Sequence, residues 1–206
     1  MKNRFLFLGL LLFMTTANIF AQDDIKTLFN KDGDKKAIRP SYYAAPVIGV
    51  TQLNNQPSLY LGGQVGLILW RQLMVGLSAK SIVFPRSFVD NSSGLQRELG
   101  YGWNSFGGLA VEYILFQKSP VHVSFPVNVM AGYMSIKDRN IDRQIESSLF
   151  LSLEAGINID FNISKRFFPS IQVTYRRAVG SSLQNLSDDA LSGFNVGLIL
   201  RVGRLR

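Results

Sequence analysis

The sequence predicts an all-β protein: an eight-stranded, antiparallel, up-and-down transmembrane β-barrel, preceded by a cleaved N-terminal signal peptide. Three observations predict it. Apolar and polar side chains alternate with period two in segment after segment, the connections alternate short and long, and the charges of the strand centres fall on one face only. Leu149 to Asn162 is the clearest segment. Its odd positions are all apolar, and its even positions after Phe150 are Ser, Glu, Gly, Asn, Asp and Asn. Successive side chains of a strand point to opposite faces, so this segment has one greasy and one polar face. Fourteen residues exceed an ordinary globular strand and suit a tilted crossing of a bilayer.

The first residues read as an export signal. Lys2 and Arg4 form a positive start, Phe5 to Met14 an apolar run, and Thr15 to Ala21 a more polar close. Such a run is too short for a spanning helix and fits a signal peptide over residues 1–21. Cleavage after Ala21 is expected, with Ala17 as an alternative. Residues 22–40 are polar and charged and read as a flexible periplasmic leader, leaving 41–206 as the barrel domain. Within the leader, Asn30-x-Asp32-x-Asp34 lacks the glycine and closing glutamate of a calcium loop, since Lys35 stands where the glycine belongs. Cysteine is absent, so an exported chain must be held by packing or by a closed hydrogen-bond network. The net charge of +8 falls to +6 without Lys2 and Arg4, and the bases are dispersed, which does not indicate nucleic acid.

The strands follow in order. The first spans about Tyr42 to Leu53 and contains Pro46, so its faces stay unassigned. The second, Leu59 to Leu69, and the third, Leu73 to Val83, flank the tight turn Trp70-Arg71-Gln72. After a long polar connection from Pro85 to Arg97, the fourth strand runs to about Phe116, and Gln117 to Pro120 turns it into the fifth, Val121 to Tyr133. The charged stretch Lys137 to Glu146 reads as a surface loop before the sixth strand. The seventh centres on Ile171 to Arg176, the polar segment Gly180 to Ala190 reads as another long loop, and the eighth spans Gly193 to Val202. Connections are short after strands two, four and six and longer after three, five and seven, with Gln52 to Ser58 a short exception. This is the rhythm of short periplasmic turns and longer surface loops.

Charge placement sets which face is inside. The polar face collects Lys80, Arg176 and Arg201 with Glu112, Glu154 and Asp160, and the apolar face of the strand centres carries no charge. A charge is costly at lipid depth and tolerable inside when paired, so the polar face points inward. Aromatics gather at strand ends. Trp70, Tyr113, Phe116, Phe161, Phe167 and Phe168 lie near the short turns, and Phe84, Tyr101, Trp103 and Tyr133 near the long loops, as two interfacial girdles would require. An eight-stranded interior is only wide enough for its own side chains, which favours a closed, salt-bridged core over a narrow channel. Inward glycines such as Gly66, Gly76, Gly108 and Gly156 leave water-filled space as the competing possibility.

On these residues the chain, from about Tyr42 to Arg204, resembles the small OmpA/OmpX-like outer-membrane β-barrel family. The segments Gly107 to Tyr113 and Pro120 to Pro126 resemble members without assigned activity. Asn195-x-Gly197-x-x-Leu200-x-Val202 looks like the C-terminal signal read by the barrel-assembly machinery, although aromatics are usual where Leu200 and Val202 stand. The resemblance implies a Gram-negative outer membrane, with its lipids and lipopolysaccharide as surroundings.

No catalytic triad, H-E-x-x-H, P-loop or cysteine–histidine metal motif is present. The single histidine, His122, faces inward beside a turn as a polar filler. The expectation is therefore a non-enzymatic barrel without cofactor, structural or mediating contacts with an envelope or surface partner through its outer loops. A lipid-modifying enzyme of the outer membrane is the alternative, followed by a narrow channel or a soluble periplasmic ligand-binding barrel.

Overall fold

The structure, a computed structural model, describes residues 41–69, 72–83, 88–90, 97–116, 118–138, 143–164, 166–184 and 186–203. The expected signal peptide and leader, Trp70 and Phe84 lie outside the described residues.

Nine strands and one helical turn are described: β1 (Ser41–Leu53), β2 (Gln56–Leu69), β3 (Leu73–Val83), β4 (Phe88–Asp90), β5 (Arg97–Leu115), β6 (Val121–Asp138), β7 (Arg143–Phe161), β8 (Phe167–Val179), α1 (Asp188–Leu191) and β9 (Gly193–Gly203). All pairings are antiparallel. β3 pairs with β5 and β1 with β9, so eight strands close into a barrel and β4 sits outside the ring as a hairpin partner of β5. The register can be followed once round: Tyr43, Gly66, Gly76, Ala110, Asn128, Glu154, Arg176, Gly193. The β9–β1 register returns it to β1 at Leu53, a stagger of ten residues from Tyr43. In an eight-stranded ring that stagger tilts the strands by roughly 40°.

The faces follow the alternation. β1, unassigned from sequence because of Pro46, turns Tyr43, Ala45, Val47, Thr51 and Leu53 inward and Tyr42, Ala44, Pro46, Ile48 and Val50 outward. Outward residues such as Val65, Leu77, Leu109, Leu153, Val173 and Val196 are exposed, while their neighbours along each strand are buried or half-buried. The apolar belt covers about ten residues of each strand, roughly 24 Å along a barrel axis tilted this way, near the height of a hydrocarbon layer.

Three connections differ from the sequence expectation. Gln52 to Ser58 is almost all strand: only Asn54 and Asn55 turn, with φ of 48° and 58°, the left-handed pair that matches the twist of a two-residue hairpin. The described ends of the charged stretch Lys137 to Glu146 are strand, pairing Lys137 with Gln144 and Asp138 with Arg143 beyond a bulge, because each ladder continues while its backbone groups find partners. Segment 180–190 is not merely polar. It contains α1, capped by Ser187, and it buries Leu183 and Leu186 together with Leu191 in the barrel mouth.

Glycines on the inner wall serve close approach rather than open space. A Cβ on Gly76 would overlap the Val65 carbonyl oxygen and stand 2.8 Å from Gly66 Cα on the facing strand. The tight wall leaves no room for side chains there. Gly76→Leu is expected to abolish the closed barrel, whereas Gly107→Ala, whose Cβ would meet nothing nearer than 4.0 Å, is expected to preserve it. Mobility on SDS gels with and without boiling reads both outcomes.

Candidate functional site

The barrel interior carries the polar chemistry of the chain, arranged in two charged tiers. The lower tier, toward the short turns, centres on Arg201 of β9, which is fully buried. Its guanidinium donates to Glu112 Oε2 and Asp160 Oδ1, both at 2.6 Å, and to Ser170 Oγ at 2.6 Å. The Ser124 hydroxyl bridges the two acids, 2.5 Å from an oxygen of each, and Ser170 donates to Asp160. The Tyr43 ring lies 5.9 Å from the guanidinium carbon. One forked cation thus satisfies two carboxylates brought from β5 and β7, a geometry that a lysine point charge cannot reproduce.

The upper tier lies six residues earlier on β7, at Glu154. Lys80 Nζ is 2.7 and 2.8 Å from its two carboxylate oxygens, and Thr174 donates to it at 2.5 Å. Lys80 also stands 5.4 Å from the centre of the Tyr60 ring. Arg176, expected to share this network, makes no ion pair among the described residues. It donates instead to the carbonyls of Leu191 at 2.9 Å and Gln52 at 2.9 Å, and stacks 4.9 Å over Phe106. Its fork is satisfied by backbone carbonyls because the segment carrying α1 folds down over it, which no sequence pattern signalled.

Between the tiers the inward side chains are neutral amides and hydroxyls, among them Gln64, Ser78, Asn128, Asn158 and Gln172, all buried. Apolar groups gather toward both ends. Ile68, Met74, Ile114 and Phe168 surround the lower tier, and Leu53, Leu99, Met134 and Ile136 join the three leucines above the upper one. A cavity beside Tyr60, Lys80 and Glu154 measures about 10 Å³, room for about a single water. His122 sits at the lower rim of the interior, with Nδ1 3.3 Å from the Asn162 amide and Nε2 3.6 Å from Asp160. Ser124 and His122 both approach Asp160, but Ser124 is fully buried between two acids and presents no face to a substrate. No group of acids and histidines able to hold a metal occurs among the described residues.

The aromatic residues divide. Trp103 is 70% exposed, with its indole donating to Ser105 at 3.1 Å, and Phe116 is 76% exposed with a left-handed φ of 53° at a short turn. Tyr113, Tyr133, Phe161 and Phe167 are half-buried on the outer wall. Phe168 is a correction: it occupies an inward position of β8 and is 1% exposed, so it fills the barrel floor instead of joining a girdle. Tyr101 likewise packs against the interior cluster, where a register shift between Tyr101 and Asn104 reverses the facing that simple alternation assigns. On β9, Asn195 and Gly197 face inward, with Asn195 accepting from Thr51 at 2.5 Å, while Val202 is exposed and Leu200 half-buried on the outer wall.

This geometry is matched by solved structures. The N-terminal β-barrel domain of Pseudomonas aeruginosa OprF superimposes with a TM-score of 0.53 at 10% identity, covering 78% of this chain and 96% of that one. The fold is that of the small eight-stranded outer-membrane barrels. Neisserial surface protein A gives a TM-score of 0.51 at 10% identity over 81% of this chain and 99% of that one. A major outer membrane protein from Thermus thermophilus gives 0.54 at 13% identity over 80% and 99%. No protein-family model matches the sequence, and no curated protein does.

The interior pairs predict an asymmetry between single and double substitutions. Lys80→Met leaves Glu154 buried without its cation and is expected to lower stability by about 3–5 kcal/mol. Adding Glu154→Gln is expected to recover more than half of that loss. Urea unfolding in lipid vesicles, followed by tryptophan fluorescence, measures both.

Proposed function

We propose that the chain is an integral outer-membrane protein whose barrel is closed and non-conducting, without catalytic activity, and which acts through its outer end. The observation that supports this best is the inversion of an ordinary soluble barrel: an apolar belt outside and ion-paired charges inside. A soluble carrier would hold its ligand against an apolar interior and face water with polar groups. The two charged tiers between apolar ends favour a closed core over a channel. An up-and-down barrel with this outer wall has lipid and lipopolysaccharide as its surroundings, and its last strand carries the pattern expected for the assembly machinery.

The working surface of this reading is the long-loop end. β5, β6 and β7 run 19, 18 and 19 residues, against 11 to 14 for the other barrel strands, so they rise beyond the belt on one side of the mouth. The raised strands carry exposed Trp103, Leu149 and Ile145, and a structural or adhesive contact with another envelope component is placed there.

Three measurements test the reading. Outer membranes from a Gram-negative host are expected to retain the protein and to show a compact band that shifts on boiling. A soluble protein without that shift would contradict the proposal. In planar bilayers the purified barrel is expected to give no unitary steps, and reproducible steps would replace the closed core with a channel. Deletion is expected to leave lipid A acylation unchanged, and an altered acyl pattern would favour an enzyme.

A further inference from the structure

Every barrel must be closed by joining its first strand to its last, and in this chain that seam has an interrupted ladder. β1 and β9 pair in two blocks, Tyr43 and Ala44 with Gly203 and Val202, then Val47 to Thr51 with Ile199 to Asn195. Ala45 and Pro46 stand opposite Arg201 and Leu200 without joining this ladder. The β1–β2 ladder runs through the same two residues, pairing Ala45 with Gln64 and Pro46 with Gly63. A proline has no N–H, and each residue of an antiparallel strand directs its N–H and C=O to one neighbour. The missing donor therefore falls on the β9 side, in the apolar belt, where no water replaces it. Just above the gap Gly49 faces Gly197, and neither has a side chain to tie the strands.

Side chains inside the barrel bridge what the backbone leaves open. At the upper end of the seam Thr51 donates to Asn195 at 2.5 Å. At the gap itself stands Arg201, opposite Ala45. Its guanidinium reaches Glu112 on β5, Asp160 on β7 and Ser170 on β8, and lies against the Tyr43 ring across the seam on β1. The acids that receive it belong to β5 and β7 and are joined by Ser124 of β6, with Ser170 of β8 beside them, so the receiving groups come from four strands consecutive in sequence. Hairpins close short loops and form first, whereas β1 must meet β9 across almost the whole domain.

We propose that Arg201 is the latch of the closing seam: the acid pair assembled on β5 to β8 captures β9 through its guanidinium and holds it against β1 where Pro46 breaks the ladder. Glu112 and Asp160 are then a docking socket for the last strand as well as the floor of the core. Arg201 acts on closure as a positioning residue.

The chain has no cysteine, so the seam can be bridged at will. Ile48→Cys with Leu198→Cys, a registered pair exposed on the outer wall, is joined by a bismaleimide across β1–β9. Leu67→Cys with Val75→Cys is the matched bridge across β2–β3. The readout is the temperature at which the compact band is lost on SDS gels of the full-length protein. Arg201→Met is expected to lower it by about 10 °C. The seam bridge is expected to restore it, and the β2–β3 bridge to leave it low. No shift with Arg201→Met, equal rescue by both bridges or rescue by neither would overturn the latch. Should Arg201→Met give no compact band, Pro46→Ala in the otherwise natural chain decides. It returns the ladder donor and is expected to raise the temperature, and an unchanged or lowered value would overturn the proposal.

Discussion

A strand lying in hydrocarbon has no water to satisfy its N–H and C=O groups, so each must find another strand, and the last must find the first. That requirement of closure organises the rest of the structure. It selects a ring over an open sheet, and in a ring of eight it fixes a tilt and a narrow bore. The narrow bore means that the inward wall must be thinned where facing backbones crowd, as at Gly66 and Gly76. It also means that the interior belongs to the protein's own side chains. What looks in sequence like scattered polar residues becomes, in three dimensions, one buried polar interior.

The charges inside are a consequence of the same enclosure. A lone charge in that bore would be prohibitively costly, and the chain meets this with cations matched to acids from distant strands. Arg201 serves two carboxylates because its fork has donors for both. Lys80 serves one. Arg176 shows that a buried cation can also be satisfied by carbonyl oxygens, here supplied by β1 and by the segment that folds over the mouth. The upper closure and the charge core are therefore one construction, and displacing that segment would take from Arg176 its Leu191 acceptor, leaving the Gln52 carbonyl of β1.

Much of the architecture was legible because one physical variable, the side-chain period, carries both strand and facing. Lys80, Glu112, Glu154, Asp160 and Arg201 could be turned inward from their parity alone, and the structure brings them into contact from strands up to 89 residues apart. Parity cannot say which acid meets which base, nor that Arg176, inward as its parity requires, meets backbone carbonyls. It also fails where the ladder slips, as at Tyr101. Phe168 keeps the inward parity of Ser170 and Gln172, and only its place at a strand end had suggested a girdle. The cap escaped for a different reason. Leu183, Leu186 and Leu191 sit in a polar stretch without strand or helical period, and only the end of a barrel makes a place for them. The interruption at Pro46 was visible as a residue but acquires its meaning from the ladder on one side of β1 alone.

The central claim is that odd residues of β7 face lipid and even ones face a closed interior. Single cysteines placed one at a time from Leu151 to Ile159, in a chain that has none of its own, can carry spin labels in reconstituted bilayers. Collision rates with oxygen, which partitions into lipid, and with a water-soluble nickel chelate then report each site. High oxygen collision is expected at 151, 153, 155, 157 and 159, and low collision with both reagents at the even positions between them. The opposite phase, or nickel access along either face at mid-depth, would contradict it.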